Sequence, residues 1–143
     1  MNQARSVRAV ESKMGVSGIA EIPVLGAIAE YGQVKRNART RIVVLHESVL
    51  PFQGTFFALN VLSEVLDTSI ARKGDILVFS EQDAASDGDL VVIERSPEES
   101  FFGSLGYQKD KIRLSFAAQG KEAELFNNVQ IRGKAVTLIR SIT

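Results

Sequence analysis

The sequence predicts a mainly β domain, and three observations predict it. Short β-branched and aromatic runs recur along the chain. Turn signals separate them at intervals of about eight to twelve residues. Beyond the first eighteen residues only Leu62–Ile70 and, weakly, Gly120–Phe126 have the character of a helix. Many short strands with few helices imply a sandwich or barrel and exclude alternating βαβ units.

The elements follow in chain order. Residues 1–18 are expected to form a flexible leader, with a short helix over Ala4–Met14 carried by Val7, Val10 and Met14 and ended by Gly15 and Gly18. This segment is too short for a helix-turn-helix, which packs two helices and usually a third. The domain proper is expected over 19–143. Its strands are Ile22–Ala29, punctuated by Pro23 and Gly26, then Arg41–Leu45, Phe56–Leu62, Ile76–Phe79, Leu90–Ile93, Ile112–Phe116, Val129–Ile131 and Ala135–Ile139. Lys73-Gly74-Asp75, Asp87-Gly88-Asp89, Ser96-Pro97 and Asn127-Asn128 supply turns between them.

Composition narrows the chemistry. A chain of 143 residues with 45% hydrophobic and 24% charged residues is an ordinary globular domain. It has no cysteine, which removes disulfides, thiolate nucleophiles and thiolate metal sites and suits the cytoplasm, where it is expected to reside. No apolar run approaches the roughly 20 residues that span a bilayer, so no membrane association is expected. His46 is the single histidine, placed beside Glu47 just after a strand; it reads as a strand-end residue, and no metal site is expected. No glycine-rich phosphate loop opens a helix, and no cofactor is expected.

Charge is balanced overall but uneven. The first forty-one residues hold Arg5, Arg8, Lys13, Lys35, Arg36, Arg39 and Arg41 against Glu11, Glu21 and Glu30. Such a bias marks either a nucleic-acid contact, for which Arg5, Arg8, Lys35 and Arg36 are the candidates, or simply a solvated surface.

Two stretches carry a family resemblance. One is Phe57–Val61 followed by Ile70-Ala71-Arg72-Lys73-Gly74-Asp75-Ile76-Leu77-Val78-Phe79. The other is Ser86-Asp87-Gly88-Asp89-Leu90-Val91-Val92-Ile93, with Val129–Arg140 near the end. Two Gly-Asp turns, each opening an apolar strand, and a final strand of the I-x-G-x-V kind resemble the self-cleaving C-terminal domain of LexA, UmuD and phage repressors. Ile22–Gly26 resembles the segment ahead of that family's cleavage site, so the likeness extends over residues 22 to 140. It implies a β fold of several short strands in curved sheets with little helix.

The resemblance also says what is missing. The family's nucleophilic serine lies nine residues before the glycine of the first Gly-Asp turn; counting back from Gly74 reaches Val65. Its general base is a lysine on the strand after the second turn; here that position falls on Gly103 or Phe102. Its scissile Ala-Gly is replaced by Ala29-Glu30-Tyr31-Gly32. A serine needs a base within hydrogen-bond reach to act as a nucleophile, so a degenerate, non-catalytic member is expected. The family dimerises partly through its C-terminal strand, which implies a homodimer interface at Ile131, Gly133, Ala135, Thr137 and Ile139, read as one face of an alternating strand.

Three functions compete. The first is a regulatory dimerisation module in transcriptional or DNA-damage control, pairing with itself or with a helix-turn-helix repressor. The second is a UmuD-like accessory subunit that binds a DNA polymerase or a recombinase filament. The third is an active peptidase with a rearranged dyad, Ser63 with Lys109 or Lys111.

Overall fold

A computed structural model describes residues 18–51, 53–62, 71–116 and 121–142. The leader with Arg5 and Arg8, the expected helix over Leu62–Ile70 apart from Leu62 itself, and with it Ser63 and Val65, lie outside the described residues.

Nine strands are present among the described residues: β1 (Ile19–Ile28), β2 (Gln33–His46), β3 (Phe56–Val61), β4 (Ile76–Glu81), β5 (Leu90–Ser96), β6 (Glu99–Gln108), β7 (Lys111–Phe116), β8 (Lys121–Phe126) and β9 (Gln130–Ile139). Two 3-10 turns, Glu30–Gly32 and Glu47–Val49, are the described helical elements, neither long enough to cross a membrane. The fold is mainly β, as the sequence predicts.

The strands form a sheet in the order β2-β1-β3-β4-β9-β5-β6-β7-β8. A short additional pairing of β2 with β6 closes the first seven of these into a ring. All pairs are antiparallel except β1 with β3. Inside the ring lies one core cluster, to which β1 gives Ile28, β3 Phe57, Leu59 and Val61, β4 Leu77 and Phe79, β5 Val92 and β6 Phe102. Phe57 stacks on Phe79 at 5.1 Å, and Phe102 meets Phe79 edge-on at 5.8 Å, two of the geometries aromatic quadrupoles favour.

A second cluster, with Ala20, Ile22, Phe56, Ala58 and Val78, covers the opposite face of β1, β3 and β4. A third, with Val91, Ile93, Leu105, Leu114 and Phe126, packs β5 and β6 against β7 and β8.

Gly26 explains how β1 and β2 bend together. A side chain there would meet the Lys35 carbonyl oxygen at 2.1 Å, an impossible approach, so the position admits only glycine. Beside it the register jumps: Gly26 pairs with Arg36 but Val24 with Arg41, so β2 carries extra residues in a bulge. Asn37 donates from Nδ2 to the Val24 carbonyl at 3.2 Å within that bulge.

Two expectations are corrected. Lys121–Phe126 is a strand and not a helix; it pairs with β7, and Phe126 is buried while Leu125 and Ala123 face solvent. Cross-strand pairing and burial of Phe126 override the local helical preference of Glu122 to Leu125. The final runs, expected as two strands, form the single strand β9 with two register shifts.

Candidate functional site

The two Gly-Asp turns are built alike. In Arg72–Asp75, Gly74 has φ 99°, the Asp75 N–H donates to the Arg72 carbonyl at 3.0 Å, and the Asp75 carboxylate accepts the Arg72 N–H at 2.7 Å. In Ser86–Asp89, Gly88 has φ 89°, and the corresponding distances are 3.1 and 2.8 Å. Positive φ at the third position is the type II turn's demand for glycine, and the aspartate closes the loop with a side-chain bond.

Each turn then clips onto a neighbouring strand. Gly74 N–H donates to Val61 O and Val61 N–H to Asp75 O, both at 2.8 Å; Gly88 N–H donates to Leu105 O and Leu105 N–H to Asp89 O, also at 2.8 Å. The first clip thus fixes the end of β3 and the second fixes β6.

These clips bring the sequence-predicted positions to one end of the ring. Leu62, at the end of β3, donates its N–H to Ile28 O at 2.9 Å, and Ala29 follows at once. Ala29, Glu30, Tyr31 and Gly32 make the tight turn between β1 and β2, with Tyr31 at φ 57° and Gly32 at φ 75°. The turn packs against β6, and the next residues pair with it, Gln33 opposite Phe101 and Val34 opposite Ser100. The stretch Ala29–Gly32, the exit of β3 and the part of β6 around Phe101 therefore sit together.

Strand geometry distinguishes Phe102 from Gly103, the two positions that counting places opposite the family's lysine. Phe102 is fully buried in the inner cluster that also holds Ile28, Val61 and Ala71. Gly103 pairs with Val91, and by alternation it faces the outer cluster that contains Val91 and Leu105. The inward position is therefore occupied by a phenyl ring, which has no proton to exchange. Lys109 lies in the β6–β7 hairpin turn and takes φ 59°, and Lys111 opens β7; both are exposed. At strand rise they lie about 20 Å along β6 from Phe102. His46 ends β2, where its Nδ1 accepts the Ser48 N–H at 3.1 Å and caps the second 3-10 turn.

A cavity of about 620 Å³ is lined by Leu25, Val34, Phe57, Leu59, Val92 and Ile131 among others. At its rim Arg132 donates to Glu94 from both Nε and an Nη atom, and Arg36 stands nearby.

The five residues of β9 expected at a dimer interface do not share a face. Bulges at Arg132 and Val136 shift the alternation. Ile131 lies in the outer cluster; Gly133 abuts Phe57, whose ring a Cβ there would meet at 2.7 Å; Ala135 packs on the inner cluster and Ile139 on the second. Thr137 donates to Val49 O at 2.9 Å. Over Gly133–Lys134 the strand pairs on both edges, with β4 and β5, whereas Gln130–Ile131 pairs with β5 and Ala135–Ile139 with β4 among the described residues.

Sequence reasoning missed one pair. Asp75, 2% exposed, receives two bonds from the Arg140 guanidinium, 2.9 Å from Nε and 2.8 Å from an Nη atom, across 65 residues of chain. The arginine, aided by the Arg72 N–H, holds the Asp75 carboxyl below the ordinary aspartate range against the opposing effect of burial. No local pattern names Arg140 as the partner; only the Gly-Asp turn pointed to half of it. Of the DNA-contact candidates, Lys35 and Arg36 are exposed on β2.

No protein-family model matches the chain. It is similar to LexA repressors: that of Leuconostoc citreum is 25% identical over 146 residues, 96% of this chain and 68% of the relative. That of Cereibacter sphaeroides is 27% identical over 128 residues, 87% of this chain and 56% of the relative. That of Thermobifida fusca is 27% identical over 140 residues, 96% of this chain and 54% of the relative. The chain thus spans little more than half the length of two of these three repressors.

Proposed function

We propose that this chain, similar over most of its length to LexA repressors, is a C-terminal domain of the LexA/UmuD type that serves as a regulatory module, pairs with a second copy and does not cut its own chain. The observation that carries the second half is Phe102: the inward site on β6, beside the turn that replaces the scissile bond, holds a buried ring in place of a lysine. Without a base within hydrogen-bond reach, a hydroxyl stays protonated and is a poor nucleophile. The alternative base, Lys109 or Lys111, sits at the wrong end of the strand.

Pairing is supported by the half-open edge of β9. Among the described residues Ala135–Ile139 pairs along one edge only, and twofold strand pairing would use the other edge and cover it. The residues in contact would then be the backbone of Ala135 to Ile139, with Ile131 and Gly133 left in the core. In this reading the protein acts in the cytoplasm, in transcriptional or DNA-damage control, with a helix-turn-helix repressor as a further partner. A polymerase or recombinase partner is the UmuD-like alternative.

Prolonged incubation at alkaline pH followed by intact-mass measurement tests the chemistry. An unchanged mass is expected; two fragments meeting between Ala29 and Gly32 would overturn the reading. Sedimentation of the same sample tests pairing, with a dimer expected and a monomer at micromolar concentration counting against it. Crosslinked capture from the native cells then separates repressor from polymerase partners.

A further inference from the structure

β2 is the outermost strand of the sheet, and beyond Gln33 and Val34 no described strand pairs with its outer edge. Its sequence, Gln33 to His46, contains Lys35, Arg36, Arg39 and Arg41 and no acidic residue. All four cations are exposed, and none forms an ion pair with another described residue. After the bulge, Arg41 to His46 runs regularly against β1, with Ile42 56% and Val44 59% exposed. Val43 and Leu45, alternating with them, pack on the second core cluster.

An open, regular edge flanked by exposed aliphatic residues is a template for strand addition. Its charge decides what can add. Two copies of β2 laid edge to edge antiparallel would set Arg41 near His46 and leave Arg39 and Arg41 of each copy without a counter-charge. Duplex DNA would meet the cations but leave Ile42, Val44 and the open backbone groups unused. A segment that alternates apolar residues and carries carboxylates satisfies all three features.

We propose that the edge of β2 is a docking site for an extended acidic segment of a partner protein, which adds as a strand along Arg41–His46. Antiparallel addition places the partner's apolar residues beside Ile42 and Val44 and its carboxylates, toward its C-terminal end, beside Arg39 and Arg41. Main-chain bonds hold the segment and the arginines select its sign.

The test uses the full chain and a labelled synthetic peptide of alternating valine and threonine ending in a run of glutamates. Saturable binding is expected, weakened by salt, with amide-exchange protection gained at Arg41–His46. Charge reversal at two exposed positions, Arg39→Glu with Arg41→Glu, is expected to weaken binding by at least about tenfold, and to leave the thermal transition in place. A peptide ending in lysines is expected not to bind. Peptide binding that survives the charge reversal would overturn the proposal. So would failure of the acidic peptide to bind while a duplex oligonucleotide is retained, or protection that appears at Ala135–Ile139 instead.

Discussion

The two Gly-Asp turns share their local geometry to within about a tenth of an ångström, yet they are tied to the rest of the protein very differently. Both have a left-handed glycine, an aspartate bonded back to the N–H three residues earlier, and a two-bond clip to a neighbouring strand. Both aspartates also face a cation from the C-terminal segment, Lys134 on β9 for one and Arg140 just past its end for the other. Asp75 is buried under a two-pronged Arg140, whereas Asp89 is partly exposed and lies 3.6 Å from Lys134. A guanidinium fork fixes direction as well as charge, while an ammonium on a flexible stem in water does little of either. A turn motif therefore specifies its own shape; what it contributes to stability is set by its surroundings.

The largest effect that would break this comparison is at the aspartates. Asp75→Asn is expected to cost about 2–3 kcal/mol, the scale of bonds to a charged group in a buried site. Asp89→Asn should cost less than about 1 kcal/mol, as exposed pairs do. Equal shifts in the urea midpoint for the two variants would show that the turn alone, and not its cation, sets the cost.

A pH series sharpens the same point. The Asp75 carboxyl is held below its unfolded value, so its stabilising contribution is fully present above the ordinary aspartate pKa of about 3.9. It is lost as pH falls through the depressed folded value. The gap in stability between wild type and Asp75→Asn should therefore be constant at neutral pH and close in acid. A gap that closed as pH rose would reverse the assignment.

The smallest difference is expected at the glycines. A Cβ on Gly74 or Gly88 meets nothing within 4 Å, so the cost of alanine is backbone strain alone, about 1–2 kcal/mol at either site. Thermal unfolding of Gly74→Ala and Gly88→Ala should give matching losses, in contrast to the aspartates.

The parts of the fold that were legible in the sequence are those encoded locally. Runs such as Leu77–Phe79 and Val91–Ile93 are strands because they follow a tight turn and are buried on both faces. The parts that were not legible depend on distant partners. Lys121–Phe126 has helix-forming residues but lies beside β7, and nothing within those six residues announces that neighbour. The alternation of β9 reads as one face from Ile131 to Ile139, yet bulges opposite Val78–Phe79 and Val92–Ile93 break it. At the candidate site counting led to Phe102 or Gly103, but which of the two faces inward needed the pleat of β6.

The place of β9 has a consequence for how the protein is made. It is the last of the nine described strands in sequence, yet it lies in the middle of the sheet, between β4 and β5. During synthesis both neighbours emerge from the ribosome with open edges, and neither can be completed until residues near Ile139 are free. The fold is thus assembled around a gap that only its final strand fills. Long-range pairing of this kind is slow and leaves apolar strands uncovered meanwhile. Ribosomes that stall before β9 would release chains with two sticky edges, a task for chaperones and proteases before any regulatory role begins.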